Sequence, residues 1–140
     1  MRNFQTKSVA NLSDDRGVAK RLASAVRVCR DKSYWVPCLV LIAAGIDRLG
    51  GGKKSGYLKV LKKGFPELCS QMTPNEFYSK FRNGVLHTFS PKRGYALANN
   101  TEVGSEYVAN VSLRNSKRQY RSLNIDRLIE DFLALTERVK

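Results

Sequence analysis

His87 is the only histidine in the 140-residue chain. It stands five positions after Arg82, which Asn83 follows directly, in the stretch FRNGVLHTF at 81–89. An imidazole exchanges protons near neutral pH, a guanidinium grips a phosphate through parallel N–H bonds, and a carboxamide can orient either partner. Together they have the means for acid–base chemistry on a phosphodiester. RNA carries its own nucleophile, the 2′-hydroxyl, so such a trio has only to move protons and stabilise developing charge. The competing reading is a polar helix end, with Arg82 paired to an acid, Asn83 exposed and His87 near the negative end of the helix dipole.

Other catalytic templates are missing. The chain has no HExxH, no GxSxG and no GxxxxGK[ST]. Cys29, Cys38 and Cys69 are odd in number and lack metal-ligand spacing, so neither a metal nor another cofactor is expected. They read as buried, reduced thiols on core segments, poorly placed to pair with His87. Asp14–Asp15 and Glu130–Asp131 read as solvated helix positions, the first pair favoured by the helix dipole. GGGKKSG at 50–56 reads as a mobile basic linker rather than a phosphate cradle.

Charge narrows the partner. Lys and Arg number 25 against 12 acids, a net of +13, and a field of that sign attracts polyanions. RNA is the expected partner, with an acidic protein, such as an antitoxin, as the alternative. Two basic clusters are candidates for holding RNA. One is Lys53, Lys54, Lys59, Lys62 and Lys63, with Tyr57 among them; the other is Arg114, Lys117, Arg118 and Arg121, with Tyr120 for stacking. No run of 18 apolar residues occurs, so no membrane span is expected; YWVPCLVLIAAGI at 34–46 has the length of a core helix. The N-terminus lacks an apolar signal core, and a cytoplasmic location is expected.

These residues need elements to hold them. Residues 1–12 read as a loose arm. Ser13 reads as the cap of an amphipathic helix over 14–31, in which Val18, Leu22, Val26 and Cys29 recur at helical spacing. Lys20, Arg21, Arg27 and Arg30 occupy much of the rest of that helix. A second helix, 34–48, is apolar nearly all round and should be central, with Pro37 in its first turn and Gly50–Gly52 ending it. A short third helix, 57–63, turns Leu58 and Leu61 inward. Thr73, Pro74 and Glu76 read as a capping box opening a helix over 74–88, striped by Phe77, Phe81 and Val85. RNGVLH lies in its last turns. Gly84 inside it costs about 1 kcal/mol relative to Ala, which close approach by another helix would explain. Residues 93–123 alternate and carry β-formers, with turns at 99–100 and 114–117, so a small antiparallel meander is expected. Asn124 caps the last helix, 125–139. The expected fold is a single mainly α domain: a helical core over 13–89, a β insertion and a C-terminal helix.

On one helix Asn83 and His87 lie about 40° apart, but Arg82 sits about 140° from His87. Two antiparallel copies packed across a two-fold axis would bring an Arg and a His from each to a shared cleft.

Arg-Asn-x-x-x-His at the end of a helix within a small helical bundle resembles the HEPN superfamily. Its ribonuclease members carry R-x(4–6)-H, usually with Asn, Asp or His after the Arg, and RNGVLH fits as Arg82, Asn83 and His87. The likeness covers about residues 13–89 and leaves out the β insertion. It implies metal-independent endoribonuclease activity in toxin, defence or stress response, by 2′-hydroxyl attack. The implied roles are proton transfer for His87, phosphate binding for Arg82 and orientation for Asn83. It also implies a homodimer through the Arg82–His87 helix. Some two-gene toxins of the superfamily have a modified Tyr two residues after the His; this chain has Phe89 there, so that regulation is not expected.

Overall fold

The computed structural model describes residues 14–112 and 117–139. Its order is α1 (Asp15–Asp31), α2 (Trp35–Leu49), α3 (Lys54–Gly64), α4 (Pro66–Gln71), α5 (Pro74–Phe77), a π turn (Tyr78–Arg82), α6 (Asn83–Thr88), β1 (Tyr95–Ala98), α7 (Asn100–Val103), β2 (Val108–Ser112), β3 (Gln119–Asn124) and α8 (Ile125–Glu137). The protein is mainly helical with one small sheet.

Local chemistry explains most of the boundaries. Asp14, rather than Ser13, caps α1: its carboxylate accepts the Gly17 amide at 2.6 Å. Ser13 itself lies outside the described residues. Thr73 Oγ1 accepts the Glu76 amide at 3.1 Å and Pro74 opens α5, as the sequence indicates. The Glu76 carboxylate, however, does not return to the cap. It is drawn to Arg121 and Tyr95 on the sheet, a charge-assisted contact that a capping bond does not match.

α2 is the central helix. Leu39, Ile42, Ala43 and Ile46 are fully buried, and α1, α3 and α8 all pack against it. At Gly45 a Cβ would come within 2.7 Å of the Phe132 ring, so α8 leans directly on the α2 backbone. Phe77, Phe81 and Val85 join the same core from the 74–88 stretch.

The glycine-rich segment is a tight turn, not a mobile linker. Gly51 and Gly52 have positive φ, and a Cβ on Gly56 would lie 1.8 Å from the Gly50 carbonyl oxygen. Two glycine backbones therefore touch where α2 hands over to α3, and α3 begins at Lys54, three residues before the expected start.

The sheet is not the antiparallel meander that the alternation predicts. Its order is β1-β3-β2, with β1 parallel to β3 and β2 antiparallel to it. Asn99 and Asn100 do not form a hairpin turn. Asn99 makes a reciprocal capping box with Glu102 and opens α7, which carries the chain across so that β3 can slot between β1 and β2. Asn124 holds this crossover. Fully buried, it accepts the Asp126 and Arg127 amides while donating to Asn100 Oδ1 and to the Gly104 and Glu106 carbonyls. The last helix ends at Glu137, two residues short of the expected end.

Candidate functional site

The 74–88 stretch runs on as one helical path, but it widens into a π turn at Tyr78–Arg82, whose last residue opens the RNGVLH motif. Such turns concentrate at functional sites. The chain leaving the helix stitches it in place: the Lys92 amide donates to the Lys80 carbonyl inside the π turn at 2.8 Å. That return path explains Gly84. A Cβ there would meet the Ser90 carbonyl oxygen at 2.5 Å and the Lys92 nitrogen at 2.9 Å. The close neighbour is this chain's own 90–92 segment, not another helix.

Arg82 is held from two sides. Its Nε and one terminal nitrogen donate to Asp47 Oδ2 at 3.2 and 2.9 Å, and its other terminal nitrogen donates to Asn83 Oδ1 at 2.7 Å. The guanidinium lies 4.8 Å from the centre of the Tyr78 ring, which Lys54 also approaches, at 5.3 Å. Burial works against the charge on Arg82, but its hydrogen bonds and attraction to Asp47 outweigh it and hold the guanidinium above its ordinary pKa. The Arg82 and Asp47 side chains keep 21% and 22% of their exposure, so the pair borders solvent. Among the described residues, three of the five guanidinium N–H groups are engaged, which leaves two without a partner there.

Asn83 is half-buried rather than exposed. His87 is exposed in the last turn of α6, with no hydrogen bond to Arg82 or Asn83 among the described residues. Beside it, Phe89 ends the helix in the left-handed region at φ 57° with 70% of its surface exposed. That conformation costs a bulky side chain roughly 1–2 kcal/mol. The structure thus joins Arg82 to Asn83 and leaves His87 apart on the same helix end.

Behind the ion pair lies Tyr57, fully buried and stacked edge-on against Tyr78. Its hydroxyl has no hydrogen-bond partner among the described residues. Burial first, and the Asp47 carboxylate second, push the phenol well above its ordinary pKa. Tyr57 is therefore a neutral core residue, not an exposed member of the lysine cluster.

Lys53, Lys54, Lys59, Lys62 and Lys63 are all exposed along α3 and the turn before it. The second cluster fares differently. Arg114 lies outside the described residues. Lys117 and Arg118 are exposed and Tyr120 is half-buried. Arg121 is a structural clamp: it donates to both Glu76 oxygens, at 2.8 and 3.3 Å, and to the Gln71 carbonyl at 2.7 Å, tying β3 to α4 and α5.

The other candidate chemistry falls away in place. Burial pushes the Cys38 thiol up to about 11, far from a thiolate at neutral pH. Cys29 and Cys69 are half-buried rather than core. Among the described residues no three His, Cys, Asp or Glu side chains converge as metal ligands. Asp131 is not a solvated helix position: it accepts the buried Tyr107 hydroxyl at 2.8 Å. No single described helix is long and apolar enough to cross a membrane.

The sequence reading missed Asp47 and Tyr78. Asp47 did leave a signal, as the one acid in the mainly apolar helix α2. No family model, curated protein or solved structure matches the chain.

Proposed function

We infer that the protein is a metal-independent, HEPN-like endoribonuclease that acts as a homodimer, with Arg82 as phosphate ligand, His87 as proton-transfer group and Asn83 as orienting residue. The observation that carries this reading is the seating of Arg82. Asp47, Asn83 and Tyr78 fix its guanidinium at the solvent edge, on a π turn, with two donors to spare. A structural ion pair needs neither the π turn nor the remaining donors. A phosphate ligand uses both.

In the proposed reaction the RNA 2′-hydroxyl attacks the adjacent phosphorus as His87 accepts its proton. The P–O5′ bond breaks, the leaving oxygen takes a proton, and a 2′,3′-cyclic phosphate remains. Arg82 stabilises the charge that builds on the non-bridging oxygens. At 100° per residue His87 and Arg82 lie about 140° apart on one helix, so the His87 that serves a given Arg82 comes from a second copy. Exposed Phe89 beside His87 supplies an apolar contact for that copy.

A single 2′-deoxy substitution in an RNA strand tests the chemistry. Cleavage should vanish at the substituted linkage alone, and the products elsewhere should end in cyclic phosphate. Cleavage at the substituted linkage, or products with 5′-phosphate ends, would contradict it. The Asp47–Arg82 pair also favours one other reading, a non-catalytic RNA-binding scaffold in which Arg82 is structural. On that reading RNA is bound and left intact.

A further inference from the structure

Arg48, Arg82, Arg121 and Arg127 each pair with a carboxylate. Along α1, among the described residues, only Arg30 does so, with the adjacent Asp31 at 3.7 Å. Arg16, Lys20, Arg21 and Arg27 make no ion pair among the described residues. Arg16, Lys20, Ser24 and Arg27 follow one another at intervals of four, four and three, so they form one stripe, about 16 Å long at the helical rise. That stripe borders a groove of about 650 Å³ between α1 and the end of α8. The far wall is Thr136, Glu137 and Val139. A second recess, of about 770 Å³, opens on the other side of the same stripe and adds Arg21.

The acids facing these recesses are Asp14 and Glu137. Asp14 also caps the Gly17 amide but keeps its charge, so two carboxylates oppose four cations. Among the described residues no aromatic ring lines either recess, so these walls offer nucleic-acid bases no stacking platform.

We propose that this α1 groove binds the phosphate backbone of RNA, without base contacts, as a docking surface separate from the Arg82–His87 helix. Its chemistry is a row of cations without ion-pair partners, along a concave surface that no described ring lines. α2 packs against both α1 and the Arg82–His87 helix, so the two surfaces are built on different elements. The proposal rests on RNA as the partner but not on cleavage of it.

The test measures binding in the His87→Ala background, where cleavage does not consume the probe. Fluorescence anisotropy with a mixed-sequence RNA duplex and with poly(U) is followed across a salt series. Replacing Arg16, Lys20 and Arg27 by Gln should weaken binding by about tenfold or more and lower the salt slope by about three, equally for all sequences. Glu137→Gln should tighten binding. Replacing Lys53, Lys59 and Lys62 by Gln removes the same charge elsewhere and should cost less. Equal losses from the two triple variants would show an effect of net charge and overturn the proposal. So would unchanged binding after the α1 changes, or equal displacement of the RNA by polyglutamate. Thermal melting confirms that each variant is folded. Failure of the cleavage reading leaves these binding results intact, so the two ideas fail separately.

Discussion

At the scale of single residues, Asp47 decides how Arg82 behaves. A carboxylate that orients a phosphate ligand adds no contact to the substrate itself. Asp47→Asn keeps the size and one acceptor but drops the charge, so Arg82 should lose its fixed position. Cleavage kcat should fall by about tenfold to a hundredfold, with a smaller change in KM. Full activity in that variant would mean that the pair is structural. Tyr57 gives the opposite kind of prediction. Its buried hydroxyl has no partner among the described residues, and an unsatisfied buried hydroxyl costs about 1–3 kcal/mol. Tyr57→Phe should therefore leave the melting temperature unchanged or raise it, and a clear drop would reveal a bond to that hydroxyl. Phe89 sits in between. Phe89→Gly should relieve about 1 kcal/mol of left-handed strain and raise the melting temperature. It should also weaken dimerisation, read by light scattering, if the ring meets a second copy.

At the scale of elements, glycines mark where backbones touch. Gly56→Ala drives a Cβ into the Gly50 carbonyl, and Gly84→Ala drives one into the 90–92 return segment. Each should destabilise the fold by about 1–3 kcal/mol or more, measured by denaturant unfolding. Gly84→Ala should also disturb the π turn through Lys92 and Lys80, and with it the seat of Arg82. The longer helices α1, α2 and α8 were legible in the sequence, because their apolar spacing is a local property, whereas the short α4 and α7 were not expected. Thr73–Pro74 and Asn124 mark their helix starts as expected. What local pattern does not encode is pairing between distant segments. The parallel β1–β3 contact depends on α7 and on the buried Asn124 hub, and β-formers with Asn turns look alike in a meander and in a crossover. The same limit applies to the site. Arg82, Asn83 and His87 stand out by type and spacing. Asp47, 35 residues before Arg82, joins them only through the packing of α2. The partner of Arg121 is hidden for the same reason, since Glu76 reaches it across 45 residues.

At the scale of the whole molecule, the charge of +13 divides into two roles. Some cations, Arg121 and Arg127 among them, hold elements together through Glu76 and Glu67. Others, along α1 and α3, face solvent. That division makes RNA affinity depend on the second set and fall steeply with salt, while stability depends on the first. The central claim, however, concerns chemistry rather than charge. It is tested most directly by incubating end-labelled RNA with the wild-type protein and with His87→Ala, both in excess EDTA. The account predicts cleavage by the wild type, retained in the chelator and lost in the variant. Equal cleavage by both proteins, or RNA bound and intact with the wild type across several pH values, would contradict it.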